Sequence, residues 1–249
     1  MNIQIITLFP EMFAALDSSI PGRAQKKGLI HLSYLNPKAF TTDKHRTVDD
    51  KPYGGGPGMV MKFQPLQAAI QAAKQHYQGP DALLPLISYL SPQGKHFDQT
   101  AAKQLSKRKN LILLTGRYEG IDQRLIDKEI DEEWSVGDFI LSGGELAAMC
   151  LIDAVVRLLE DALGHPESAE QDSFSRSLLD YPHYTRPAKV DNQTVPDILL
   201  GGNHEAIFRW RLKQALGRTW QRRPDLLKKH ILSKQEQVLL AEFIREHSE

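Results

Sequence analysis

Residues Trp134–Glu145 read WSVGDFILSGGE. A short apolar run, Phe139–Leu141, breaks into Ser142-Gly143-Gly144, and a helix opens at Glu145. Paired glycines at such a break let backbone approach a ligand or another loop where a Cβ would clash. Two upstream stretches follow the same grammar. Leu86–Leu90 ends in Ser91-Pro92-Gln93-Gly94, and Leu111–Leu114 ends in Thr115-Gly116-Arg117-Tyr118-Glu119-Gly120. Three strand exits of one style predict three loops lining one pocket.

The surrounding chain alternates strand and helix. Ile3–Leu8 predicts a buried first strand and Glu11–Asp17 the start of a helix. Leu29–Leu35 alternates as a strand does. Gln64–Tyr77 places Leu66, Ala69, Ile70 and Ala73 at helical spacing. Leu86–Leu90 and Leu111–Leu114 are continuous apolar runs, the pattern of parallel strands covered on both faces, and Thr100–Ser106 fits a helix between them. Glu145–Leu159 is the clearest helix. The alternation predicts an α/β fold with a parallel sheet. Glu160–Ser177 is polar, contains Gly164 and Pro166 and lacks periodicity, as a linker does. Helical patterns follow at Glu205–Leu216, Asp225–His230 and Lys234–His247. The expected organisation is a first domain over 1–160, a linker over 161–176 and a small helical domain over 177–249.

Of the 249 residues, 41% are hydrophobic and 25% charged, the balance of a soluble globular chain. No apolar run approaches the ~20 residues of a membrane span. The N-terminus has neither a basic n-region nor a small-residue cleavage site. The single cysteine, Cys150, excludes an internal disulfide framework and fits a reducing cytoplasm. Its helical, apolar neighbours predict a small buried hydrophobe. The nine histidines show no metal-ligand spacing, and one thiol gives no ligand set for structural zinc.

A net charge of zero conceals an asymmetry. Glu119–Asp172 holds 15 acids and 3 bases, whereas Ile207–Lys229 holds 8 bases and 1 acid. The basic segment interleaves Arg209, Arg211, Lys213, Arg218, Arg222 and Arg223 with Trp210 and Trp220, for which the helical core is the expected place. Such a patch binds phosphates without reading sequence, and salt weakens its binding. The loop Lys51–Met59, KPYGGGPGM, lacks the Gly-Lys-Ser/Thr ending of a phosphate loop and the third glycine of a dinucleotide fingerprint. It is either a structural loop of tight turns or one that meets a base or polyanion; His45, Arg46 and Lys51 favour the latter. Asp153 and Arg157, spaced i,i+4, are either a helix-surface ion pair or charges aimed at the glycine loop. Asp172-Ser173-Phe174 reads as ordinary linker polarity unless a site recruits it.

Together these stretches resemble one family, the bacterial tRNA (guanine-N1)-methyltransferases called TrmD, of the SPOUT class. The matching motifs are LFPEMF at Leu8, HRTVDDKPYGGGPGM at His45, YLSPQG at Tyr89, GRYEGID at Gly116, DEEWSVGDFILSGGEL at Asp131, DSF at Asp172, PHYTRP at Pro182, GGNH at Gly201 and RWRLKQALGRTW at Arg209. They run through almost the whole chain in the family's order. The sequence departs from the family at Ala147, where a proline is usual, and at Glu160-Asp161, where proline-glycine is common.

The resemblance implies a parallel-sheet SPOUT domain with a deep trefoil knot, followed by a linker and a helical tRNA-binding domain. It implies a cytoplasmic homodimer with active sites between subunits, and methyl transfer from S-adenosylmethionine to N1 of the guanosine 3′ of the anticodon, position 37. Carried over by motif, the cofactor pocket comprises Tyr89, Leu90, Ser91 and Pro92; Gly116, Arg117, Tyr118 and Glu119; and Ser135, Val136, Gly137, Asp138, Phe139, Ile140, Leu141, Gly143 and Gly144. Asp172 is the implied general base, Arg157 its electrostatic partner, and Glu119 completes the catalytic set. The family's activity is associated with Mg2+, for which no ligand spacing appears here. A methyltransferase for another RNA base, or an RNA-binding protein without catalysis, are the competing expectations; Glu119, Arg157 and Asp172 together count against the second.

Overall fold

Strands form where apolar residues run with few polar breaks, because both faces of the central sheet are covered. The computed structural model describes residues 1–77, 85–164 and 172–247. In chain order, β1 (Asn2–Ile6) leads through a 3₁₀ helix (Pro10–Asp17) into α1 (Ser19–Lys26) and β2 (His31–Leu35). The short antiparallel strands β3 (Asp49–Asp50) and β4 (Val60–Met61) bracket the glycine-rich loop. Then come α2 (Phe63–Gln75), β5 (Ile87–His96), α3 (Gln99–Leu105), β6 (Asn110–Thr115), α4 (Gln123–Glu129), β7 (Glu132–Ser135) and α5 (Glu145–Val156).

Five parallel strands make one sheet in the order β2-β1-β6-β5-β7. Side chains alternate between its faces with a period of two. Ile3, Ile5, Leu111 and Leu113 meet Ala24 of α1, Leu105 of α3 and Leu151, Ile152 and Val155 of α5. Ile6, Ile87, Ile112 and Leu114 meet Leu66 and Ile70 of α2 and Leu125 of α4. Asp98 and Asp122 cap α3 and α4, their carboxylates accepting from the backbone N–H groups of Ala101 and Arg124.

The structure corrects several sequence expectations. The strand that enters the WSVGDFILSGGE stretch is Glu132–Ser135, not Phe139–Leu141. Glu132 hid it from an apolar scan, yet its charge is met by Arg108 and by the Ser88 hydroxyl. Phe139 and Ile140 are instead exposed. Ser91–Gly94 does not end a strand either: Leu90 and Lys95 both oppose Trp134, so these four residues bulge out of β5 before it resumes. Helix α4 had no counterpart in the sequence reading. Cys150 is exposed rather than buried, because Ala147, Ala148, Leu151 and Ile152 take the inner face of α5.

Contacts divide the chain into two compact units, Met1–Gly164 and His165–Glu249. Residues 165–171, the middle of the segment expected as linker, lie outside the described residues. The second unit contains the hairpin β8 (Lys189–Val190) and β9 (Gln193–Thr194), then α6 (His204–Arg222), α7 (Pro224–Lys229) and α8 (Lys234–His247). Its core is Leu178, Leu216 and Leu239. Trp220 is exposed and Trp210 half-buried, so neither forms the core expected of it. Among the described residues, no helix is long and apolar enough to cross a membrane.

Candidate active site

A cavity of about 300 Å³ opens beyond the carboxyl ends of β6 and β7 and beside the bulge of β5. Crevices at this end of parallel strands are the usual ligand sites of α/β sheets. Every residue expected to form the cofactor pocket lines it except Asp138. Ser142, within the third pocket stretch, and Ala147 line it too, as do Gln93, Gly120 and Trp134, which the motifs do not assign to the pocket.

Backbone contacts stitch the loops together. The Gly144 N–H donates to the Gly116 carbonyl at 2.9 Å, and Arg117 and Gly143 form an isolated antiparallel bridge. A Cβ on Gly144 would lie 3.0 Å from Thr115 Cα and 3.2 Å from Gly116 N, and one on Gly143 would strike the Arg117 side chain. Glycine is therefore required here by close approach. The glycine-rich Lys51–Met59 loop joins the same assembly: the Glu119 N–H donates to Met59 O, and the Met61 N–H to Gly120 O, both at 2.9 Å.

Beneath the glycine pair lies a carboxylate that sequence reasoning passed over. Glu145 is fully buried at the first turn of α5, where the helix dipole favours negative charge. Its Oε1 accepts from the Thr7 hydroxyl at 3.1 Å and the Thr115 hydroxyl at 3.4 Å. Its Oε2 lies 3.0 Å from Arg117 Nε. Arg117 also donates to Ser142 O and rests 4.4 Å from the centre of the Phe9 ring. The available signal was an acid directly after Gly-Gly at a helix start.

Two tyrosines border the cavity. Burial pushes the Tyr89 hydroxyl up to about 12, aided by the Glu133 charge and opposed by the Ile121 backbone N–H. Tyr118 adopts a positive φ of 62° and is half exposed. Burial, and then Asp49 nearby, raise its pKa.

The lining does not include Arg157, which follows the last turn of α5 at the end opposite Glu145. Twelve residues of helix separate the two termini, roughly 18 Å at about 1.5 Å per residue. Asp172 belongs to the second unit, in a small hollow of about 110 Å³ shared with Arg176, Asp180, Tyr181 and Arg211. Among the described residues, no three His, Cys, Asp or Glu side chains come together to hold a metal ion.

The basic segment is partly neutralised, by Asp225 within it and by Glu242 and Glu246 from the last helix. Arg209 pairs with Glu242 at 2.6 Å, Lys213 with Glu246 at 2.7 Å and Arg223 with Asp225 at 2.7 Å. Arg211, Arg222, Lys228 and Lys229 are exposed.

Residues 1–229 match the family model described as tRNA (Guanine-1)-methyltransferase TrmD. The chain belongs to this family. A tRNA (guanine-N(1)-)-methyltransferase of Coxiella burnetii is 59% identical over 99% of the chain and 98% of its own length. Proteins of the same name from Tolumonas auensis and Pseudomonas savastanoi are 59% and 56% identical, over 99% and 100% of the chain and 98% of their own lengths. Family membership thus spans both compact units, including the motifs that the cavity draws together.

Proposed function

We propose that the protein transfers the methyl group of S-adenosylmethionine to N1 of the tRNA guanosine 3′ of the anticodon, position 37, giving 1-methylguanosine. The observation that carries this reading is the cavity: three loops, stitched at Gly116 and Gly144, in a chain whose family is described as tRNA (Guanine-1)-methyltransferase. The walls fit the methyl donor. Leu90, Pro92, Leu141 and Ala147 offer apolar surface, and the glycine-bearing loops offer backbone groups at close range. When bound, S-adenosylmethionine supplies an electrophilic methyl group.

Guanine N1 holds a proton at neutral pH and is a poor nucleophile until that proton leaves. In this reading the Asp172 carboxylate takes it. Charge then grows on the guanine carbonyl oxygen, where a guanidinium stabilises it with little reorganisation. Because Arg157 stands at the end of α5 away from its own chain's cavity, its role depends on the homodimer reading, in which a second copy supplies it. Glu119 completes the set from the cavity edge. The Ile207–Lys229 segment holds tRNA phosphates, while base contacts select the guanine.

A homodimer with active sites between subunits belongs to the same reading. Phe139, Ile140 and Leu146 are exposed apolar side chains, and Cys150 lies outward on the same helix as Leu146. A second copy would cover this surface. The family's trefoil knot has support in the path after β7, which returns to hydrogen-bond Gly116 beyond β6 although β5 lies between those strands. A tRNA substrate places the protein in the cytoplasm, and Mg2+ is included as an activator without an assigned ligand.

The test is transfer of label from S-adenosylmethionine to tRNA with guanosine at position 37. Folded protein that yields no 1-methylguanosine would sink the enzymatic reading. Label on another base would favour a related RNA methyltransferase.

A further inference from the structure

A second hollow, in the helical unit, takes no part in the proton or methyl transfer above, although Ile207, Trp210 and Arg211 of its wall belong to the basic segment and Tyr181 and Arg211 also border the hollow of Asp172. It encloses about 280 Å³, with Tyr181, Tyr184 and Trp210 as aromatic walls and His183, Arg186 and Arg211 as polar ones. Among the described residues lining it there is no carboxylate. Glu119, Arg157 and Asp172 do not line it either.

The aromatic walls are held in place by their neighbours. The Tyr184 and Trp210 ring centres are 6.4 Å apart, with planes inclined at 49°. The Arg211 guanidinium lies 4.9 Å from the Tyr181 ring centre, and the Tyr181 and His183 rings are 4.7 Å apart. Asp180, outside the lining, fixes His183 through a contact of 2.8 Å to Nε2. Tyr184 nevertheless keeps half its surface exposed, so a flat ligand can reach it.

We propose that this hollow takes one unpaired base of the RNA substrate, other than the methylated guanine, stacked on Tyr184 and Trp210. Its flanking phosphates would meet Arg186 and Arg211. The inference rests on tRNA being the substrate. Aromatic rings and guanidinium planes suit unstacked bases, which a base-paired stem does not present. Any base offers a π face, so the site needs no sequence match. Two arginines without a lining carboxylate select a polyanion over a cationic or neutral partner.

The experiment uses the full chain and an anticodon-arm RNA hairpin, with each loop base replaced in turn by 2-aminopurine. For wild type, one loop position should show fluorescence quenching on binding. Tyr184→Leu should abolish that quenching and weaken binding about tenfold with the salt slope retained, while Tyr184→Phe behaves as wild type. Arg186→Gln, a change at an exposed side chain, should instead reduce the salt slope by about one. The site is overturned if Tyr184→Leu leaves quenching and affinity unchanged while wild type still methylates tRNA. A wild-type protein that neither binds nor methylates tRNA overturns the underlying function instead.

Discussion

Arg117 Nε lies 3.0 Å from Glu145 Oε2, and the Glu145 carboxylate is fully buried. The pair joins the loop after β6 to the start of α5, and the threonines of two further segments bond the same carboxylate. Removing one partner strands the other charge. Breaking a buried pair costs about 3–5 kcal/mol, and Arg117 retains some solvent contact, so the lower end applies. Glu145→Ala should therefore lose about 3 kcal/mol in urea unfolding and weaken S-adenosylmethionine binding. A variant as stable as wild type, with unchanged cofactor affinity, would deny the pair its role beneath the cavity.

Gly143→Ala should damage the same loop from its other side. The new Cβ would strike Arg117 and lie 2.5 Å from Glu145 Oε2. Cofactor affinity measured by calorimetry should fall at least about tenfold, the equivalent of about 1.4 kcal/mol. Native affinity would show that the arginine can move aside without disturbing the cavity.

Asp172→Ala should abolish methyl transfer yet leave cofactor affinity nearly intact. Asp172 is not among the residues that line the cavity. Single-turnover kinetics beside equilibrium binding separates the two effects. Strongly weakened cofactor binding would move Asp172 from proton transfer to the binding pocket.

Tyr89 gives a pH-dependent expectation. Its hydroxyl ionises near 10.0 in the unfolded chain and at about 12 in the folded one. Below the first value both states keep the proton, and no slope arises. Between the two values only the folded state keeps it, so stability falls as pH rises. Tyr89→Phe should flatten part of that decline in unfolding measured from about pH 9 to about pH 11.5. Identical slopes for both proteins would contradict the raised value.

Arg222 and Arg209 should behave differently although both lie in the basic segment. Arg222 is exposed, whereas Arg209 is committed to Glu242. Arg222→Gln should weaken tRNA binding and lower its salt slope by about one. Arg209→Gln should leave the slope nearly unchanged and cost less than about 1 kcal/mol of stability, as exposed pairs do. Equal slope losses would mean that Arg209 leaves Glu242 for RNA.

Sequence reading succeeded where short-range pattern and final burial agree. Ile3, Ile5, Leu111 and Leu113 are apolar in sequence and buried in the sheet. It failed at β7 because Glu132 is satisfied by Arg108 and Ser88, partners 24 and 44 residues away. Phe139 and Ile140 misled in the opposite sense: apolar residues on an exposed loop look like a strand until exposure is measured. The pocket loops were legible as motifs, but Glu145 was not, since nothing local shows that Thr7, Thr115 and Arg117 converge on it.

The sequence by itself determined the alternation of strand and helix, the identity of the pocket loops and the family, because these follow from periodicity and contiguous motifs. Tertiary structure decided the rest. It turned Ser91–Gly94 into a bulge, placed Cys150 outward, buried the Glu145 carboxylate and joined Arg209 and Lys213 to the last helix. Each depends on which distant group lies within a few ångströms. Charge pairing and desolvation are set by that distance in space, which separation along the chain does not encode.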